Sequence, residues 1–287
     1  MAKARLPPYN PAMTPFRKMQ GLGNDFVVLD ARSRAVPVNA AIAKRLADRN
    51  FGIGCDTVVL ITPGTAADAG LRFFNADGGE IETCGNATRC VARLLMDERG
   101  LARVRVESKG GMLNCADAGN GLVTVDMGVP ETDWGQIPMA EAKDTISFPL
   151  PLEGSNITAS AVRMGNPHCV LFVEDALRAP VTVLGPRIET HPLFPTKVNV
   201  EFVQIQDRDH MRMRVWERGV GVTLACGSGA CASLVAAVRK GLSSRKVEMT
   251  LDGGKLGLEW READGHVLMT GPGVTVFEGQ VDLDSLK

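Results

Sequence analysis

The chain has 287 residues, 45% hydrophobic and 23% charged, a length that suits two domains of ordinary size and a composition that excludes a disordered chain. Its formal net charge of -1 leaves no electrostatic footprint for nucleic acid or an anionic membrane. Apolar runs such as Gly165–Val173 stop well short of a bilayer span.

The N-terminal MAKARLPPYNPAMTPF is basic at its start but has no continuous apolar core, so it reads as a flexible extension of a cytoplasmic protein. GNDFVVL from Gly23 is predicted as a strand after a Gly-Asn turn, and AAIAKRLADR as a connecting helix. TVVLI and LRFF follow as strands. A Gly-rich turn then enters ETCGNATRCVARLL, Glu82–Leu95, whose small apolar face suits a buried helix. ARVRVES and GLVTVDM alternate as strands. Pro130, Pro138, Pro149 and Pro151 punctuate the weakly periodic stretch from Gly128 to Ser160, which marks a boundary. After it come GNPHCVL, KVNVEFV, MRVW, the helix start TLACGSGACASLVAA (Thr223–Ala237), and the strands KVEMTL, KLGLEW and HVLMT.

That order is a repetition. Residue 226 lies 142 positions beyond residue 84, and at this spacing Cys84 falls on Cys226 without gaps upstream. Asn24 then falls on Asn166, Thr57 on Asn199, Asn75 on Glu217, and LRFF on MRVW. The predicted fold class is α+β: two pseudo-symmetric α/β lobes from an internal duplication. The expected domains are residues 1–127 and 128–271.

Seven cysteines, an odd number scattered through a long chain, do not read as a secreted disulfide framework. Cys84/Cys90 and Cys226/Cys231 are six and five positions apart, which points each pair to different helix faces, so no metal site is expected. Cys55, Cys90, Cys115, Cys169 and Cys231 read as core filling. Cys84 and Cys226 are different, because each opens a helix. A helix N-terminus presents unpaired N–H groups and partial positive charge, which favours a thiolate. Gly85 and Gly227, next in sequence, let amides approach an anion such as a carboxylate. Pseudo-twofold pairing would set the two sulfurs facing one another across one small acid. One would take a proton from carbon while the other delivers a proton to the opposite face.

The segments MQGLGNDFVVLD, FGIGCD, FNADGGEIETCGNATRCVARL, MGNPHCV, VNVEF and WERGVGVTLACGSGACA together resemble the diaminopimelate epimerase family, in order from about Phe16 to Lys287. The resemblance implies two lobes, each a curved, mostly antiparallel sheet wrapped around a central helix, with residues 272–287 returning to the first lobe. It implies cofactor-independent conversion of LL- to meso-diaminopimelate in lysine and peptidoglycan synthesis, by a cytoplasmic homodimer. It maps the catalytic thiols onto Cys84 and Cys226, with His168 and Glu217 setting their protonation. Asn24, Thr57, Asn75, Asn166, Asn199, Glu217 and Arg218 fall on substrate-holding positions. The amides of Gly85, Asn86, Gly227 and Ser228 would grip the α-carboxylate. Asn166, Asn199 and Arg218 could clamp the distal end of a long zwitterion, Arg218 by a bidentate contact. Ala76 stands where the second copy has Arg218, so that clamp is asymmetric.

Three other readings stay open. A racemase of histidine or a proline derivative could use the same scaffold, since Thr57 stands where related sequences often carry glutamine or glycine. A hydrolase could pair Cys226 with His168, which leaves Cys84 unexplained. An amino acid binding protein without catalysis would bind without proton exchange. His191, His210 and His266 have no partner motif and read as surface or structural.

Overall fold

The computed structural model of the protein describes residues 13–152 and 154–286; the extension expected over residues 1–12 lies outside them. Two compact units emerge. The first runs to Gly21, continues over Asp25–Val123 and resumes from Pro272; the second takes Leu22–Asn24 and Thr124–Gly271.

In the first unit, β1 (Thr14–Gly21) pairs antiparallel with β18 (Val274–Val281) and also with β2 (Asn24–Asp30). β2 runs parallel to β3 (Thr57–Thr62), which pairs antiparallel with β4 (Ala69–Asn75). β4 carries the short β5 (Glu80–Ile81) antiparallel and β6 (Arg103–Ser108) parallel; β7 (Gly111–Gly119) then returns on β6. Helix α1 (Ala40–Ala47) starts at Asn39, whose Oδ1 accepts the Ile42 N–H at 3.0 Å. That bond satisfies a donor the first turn leaves open. Its Ile42, Ala43 and Leu46 join Val27, Leu29, Val58 and Phe74 in one core.

Helix α2 (Gly85–Arg99) packs against β1, β3, β6 and β7. Its buried residues run from Asn86 through Met96 with few gaps, as a helix enclosed on most sides requires. The sheet wraps it because Ala87, Cys90, Val91, Ala92 and Leu95 are all nearly inaccessible to solvent.

The second unit repeats the plan. β10 (Ser155–Arg163) pairs antiparallel with β9 (Phe148–Leu152) and with β11 (Pro167–Phe172). β11 runs parallel to β12 (Asn199–Ile205), and β12 antiparallel to β13 (His210–Glu217). β14 (Gly221–Val222) and β15 (Lys246–Leu251) flank β13, and β16 (Gly254–Trp260) and β17 (Val267–Pro272) complete the order. Helix α3 (Val181–Glu189) lies on β12 and β13, over a core that includes Ile188, Phe194 and Phe202. Helix α4 (Gly227–Arg239) packs against β10, β11, β12 and β16.

Duplication is visible in register. Phe26 is the Cα partner of Thr57 across β2/β3, and His168 is the partner of Asn199 across β11/β12, the same pairing 142 residues on. After the buried helices the copies slip by one residue: Ala69 pairs with Val106, but Met211 with Met249. The mixed α+β architecture is thus the one the repeat implied.

The division between units falls inside β8 (Leu122–Asp126). The second half of β8 is held by the second unit. Thr124 Oγ1 bonds Thr270 Oγ1 at 2.7 Å, and Asp126 Oδ1 meets His266 Nδ1 at 2.7 Å. No helix among the described residues is long and apolar enough to cross a membrane.

Candidate active site

Cys84 and Cys226 occupy the same place in their units. Each is the residue immediately before a buried helix, with extended backbone (φ/ψ −148/102° and −120/109°) and no side-chain capping bond. Both therefore leave the first-turn amides, at Gly85–Asn86 and Gly227–Ser228, without a side-chain cap from the cysteine. The first turn of a helix, with its N–H groups pointing outward along the axis, suits an anion. Their surroundings differ: Cys84 is half-buried and Cys226 is buried.

In the first unit, Thr57 and Asn75 are direct cross-strand partners on β3 and β4, at the sheet end reached by the Gly78–Gly79 turn. Asp25 and Asp56, each adjacent to an expected site residue (Asn24 and Thr57), hold one another. The Asp56 N–H donates to Asp25 Oδ1 at 2.9 Å, and the Asp25 N–H donates to Asp56 Oδ2 at 3.1 Å. Arg49 bonds both carboxylates, and Lys18 reaches Asp25 at 2.6 Å and the Gly54 carbonyl. Burial alone would raise the Asp25 carboxyl, but Arg49 and Lys18 outweigh it and bring it down to about 2. Asn24 itself groups with the second unit, where Leu22 (φ 58°) and Gly23 (φ 80°) form a left-handed turn against Leu224.

In the second unit the expected residues converge. His168 is fully buried; its Nε2 lies 2.9 Å from Asn166 Oδ1, and its Nδ1 lies 2.7 Å from Glu201 Oε1. Asn199 spends its amide on the backbone, donating from Nδ2 to the Pro167 carbonyl at 3.0 Å and accepting the Arg218 N–H at 2.9 Å. Thr223 Oγ1 and the Cys226 thiol donate to the Glu217 carboxylate. Ser228 Oγ lies 3.7 Å from Cys226 Sγ. The Arg218 side chain instead turns outward, with Nη1 on the Thr196 carbonyl at 3.2 Å. Glu189 of α3 fixes the turn that carries Arg218: it accepts the Trp216 indole N–H at 2.7 Å and the Gly219 N–H at 3.0 Å.

The helix start was expected to lower both thiols. For Cys226 the structure reverses this. Burial, then Glu217, then Glu201, push its thiol well above the ordinary cysteine range. A helix terminus contributes only about 0.3–1 kcal/mol, while complete burial shifts a group by up to roughly 3–5 pH units, each about 1.4 kcal/mol. Burial also raises Glu217 and Glu201. Cys226 therefore rests as a thiol. Burial likewise pushes Cys55 and Cys90 up to about 12 and Cys169 well above its usual range, and Cys115 and Cys231 are buried too. These five sit in the core, as their sequence contexts suggested.

Glu201 was not among the residues singled out from sequence. Its signal was an acid inside the apolar run VNVEFV, where the first copy has Val59 within TVVLI. His191, His210 and His266 bond Pro151, Asp207 and Asp126 respectively.

Comparison with known proteins places the chain in a family. The sequence model of the family described as diaminopimelate epimerase fits twice, over residues 16–132 and 160–276. A diaminopimelate epimerase of Rhodospirillum centenum is 53% identical over 271 residues, covering 93% of this chain and 91% of that one. That of Acidiphilium cryptum is 50% identical over 271 residues, covering 94% and 97%. Among solved structures, a hydroxyproline epimerase from Agrobacterium vitis with bound trans-4-hydroxy-L-proline superposes with a TM-score of 0.67 at 17% identity, covering 94% of this chain and 92% of that one. A PhzF-family phenazine biosynthesis protein of Enterococcus faecalis gives 0.69 at 18% identity, covering 94% and 99%. These last two share the fold. With a family model met by both copies and close relatives matched over nearly their whole length, the chain belongs to the diaminopimelate epimerase family of isomerases.

Proposed function

We propose that the chain converts LL-2,6-diaminopimelate to the meso form, with Cys84 and Cys226 as the two acid–base groups, in lysine and peptidoglycan precursor synthesis. The observation that carries the reading is the duplicated cysteine at a buried helix start, with two buried carboxylates acting on the thiol of the second copy. Glu217 and Glu201 act on the Cys226 thiol, and His168 bonds Glu201; the equivalent residues of the first copy are Asn75, Val59 and Phe26. A thiol held protonated is ready to donate, which assigns Cys84, as thiolate, the first abstraction.

The α-C–H bond breaks as its proton passes to the Cys84 sulfur, and the electron pair moves toward the α-carboxylate. That carboxylate rests on the amides of Gly85, Asn86, Gly227 and Ser228, which stabilise the enolate-like charge without reorganising. The Cys226 S–H then gives its proton to the opposite face, leaving Cys226 as thiolate and Cys84 as thiol. Asn24, Thr57, Asn75, Asn166 and Asn199 hold the polar groups of the substrate, and Arg218 takes the distal carboxylate. The whole cycle needs no pyridoxal phosphate. A cytoplasmic homodimer belongs to the same proposal and is supported by the family resemblance alone.

Turnover of LL-diaminopimelate in heavy water tests it. The meso product is expected to carry deuterium at one α-carbon, and Cys84→Ala and Cys226→Ala are each expected to lose about 10³-fold or more in kcat. Unlabelled product, or an active single variant, overturns the two-thiol mechanism. A parallel panel of proline, hydroxyproline and histidine tests the alternative that Thr57 admits; preferential turnover of any of these overturns the substrate assignment.

A further inference from the structure

The acid missed in the sequence is the best-built feature of the second unit. Glu201 is fully buried on β12, one strand residue beyond Val200, and its Oε1 lies 2.7 Å from His168 Nδ1. Its other oxygen, Oε2, is buried with no hydrogen-bond partner. A buried carboxylate with one oxygen unpaired is costly as an anion, so the carboxyl depends on its histidine.

The room for it comes from Gly229 in the first turn of α4. A Cβ at that position would sit 2.7 Å from Glu201 Oε1 and 3.3 Å from Cys226 Sγ. The first copy has made the opposite exchange: Val59 replaces the acid and Ala87 replaces the glycine. One methyl group is removed from the helix where one carboxyl is added to the strand. This paired exchange places Glu201 under the Cys226 helix start and ties it to that half of the molecule alone.

Both ring nitrogens of His168 are engaged by oxygens. With Asn166 Oδ1 accepting from Nε2–H, Nδ1 must either donate to a carboxylate or accept from a carboxylic acid. In both cases one proton lies between Nδ1 and Oε1. We propose that Glu201 is a positioning residue for His168, orienting its ring, and through it Asn166, by sharing one proton across the Glu201–His168 contact. The inference rests on the acid–base reading of this site, since it assigns Glu201 no contact with substrate. It adds a third residue to the pair His168 and Glu217, and it explains why only one copy has the glycine.

The test uses the full-length enzyme with ¹⁵N-labelled histidine and no substrate; the chain has four histidines, and a His168→Gln spectrum assigns the one in question. Wild type is expected to show a slowly exchanging downfield ring N–H from the shared proton. Glu201→Gln is expected to lose it and shift the His168 ring nitrogens, leaving the other three histidines in place. In turnover, Glu201→Gln is expected to lower kcat about 10- to 100-fold, by analogy with the loss of a carboxylate behind a metal-bound histidine, with KM within about threefold. Glu201→Asp should recover part of that loss. A wild-type spectrum without the shared proton overturns the proposal whether or not the variant folds, and so does a folded Glu201→Gln with wild-type kcat and ring shifts. Because the spectra need no substrate, a shared proton in an enzyme inert toward LL-diaminopimelate would sink the function while leaving this contact standing.

Discussion

At the scale of single residues, two cysteines with one sequence context are buried to different depths. Cys226 is buried beside Glu217 and Glu201, and burial followed by those carboxylates holds it as a thiol. Cys84 is half-buried, in a copy whose equivalent positions are Asn75 and Val59. The species that is alkylated is the thiolate, and each unit of pKa changes its fraction tenfold. At pH 8, iodoacetamide is expected to modify Cys84 at least about tenfold faster than Cys226, as counted by peptide mass spectrometry. Glu217→Gln removes one of the charges that oppose ionisation, so it should speed Cys226 and leave Cys84 alone. Equal rates at the two sulfurs, unchanged by that substitution, would refute the assignment of a resting thiol.

At the scale of elements, the repeat was legible because the chain wrote it in chemistry-bearing residues. Asn24/Asn166, Thr57/Asn199 and Cys84/Cys226 keep one spacing, and the strands beneath them keep one register. What stayed hidden were contacts that need three dimensions. Glu201 reads as an ordinary acid until Gly229 is seen against it, and Asp25 and Asp56 lie thirty-one positions apart before they exchange hydrogen bonds. The seating of α3 belongs to this class. Gly185 lies inside that helix, where alanine would ordinarily add about 1 kcal/mol. Here a Cβ would meet Trp216 Cγ at 2.5 Å, so Gly185→Ala is expected to cost about 1–3 kcal/mol by overpacking. Trp216 adjoins Glu217 and Arg218, and Glu189 of the same helix holds their turn; KM for diaminopimelate should therefore rise as well. A variant with an unchanged melting temperature and an unchanged KM would show that the helix can shift away freely.

At the scale of the whole molecule, both units bury thiols at a depth that couples stability to alkaline pH. Burial keeps Cys55 and Cys90 in the first unit, and Cys169 and Cys226 in the second, protonated far above the ordinary thiol range. Unfolding returns each to a range near 8.5. Below that value both states hold the proton, and the burial has no pH cost. As pH rises further the unfolded chain ionises while the folded one cannot, so each group removes about 1.4 kcal/mol of stability per pH unit. Cys90, which burial raises to about 12, isolates the effect. Cys90→Ala should be less stable than wild type at pH 8, because a buried sulfur is lost. Between pH 9 and 11 the gap should narrow by about 1.4 kcal/mol per unit, since only the wild type loses the thiol's contribution. Urea unfolding under reducing conditions across that range reads the slope directly. Parallel pH curves for the two proteins would mean that Cys90 ionises as readily in the folded chain as in the unfolded one, and its burial would not be the cause of the alkaline loss.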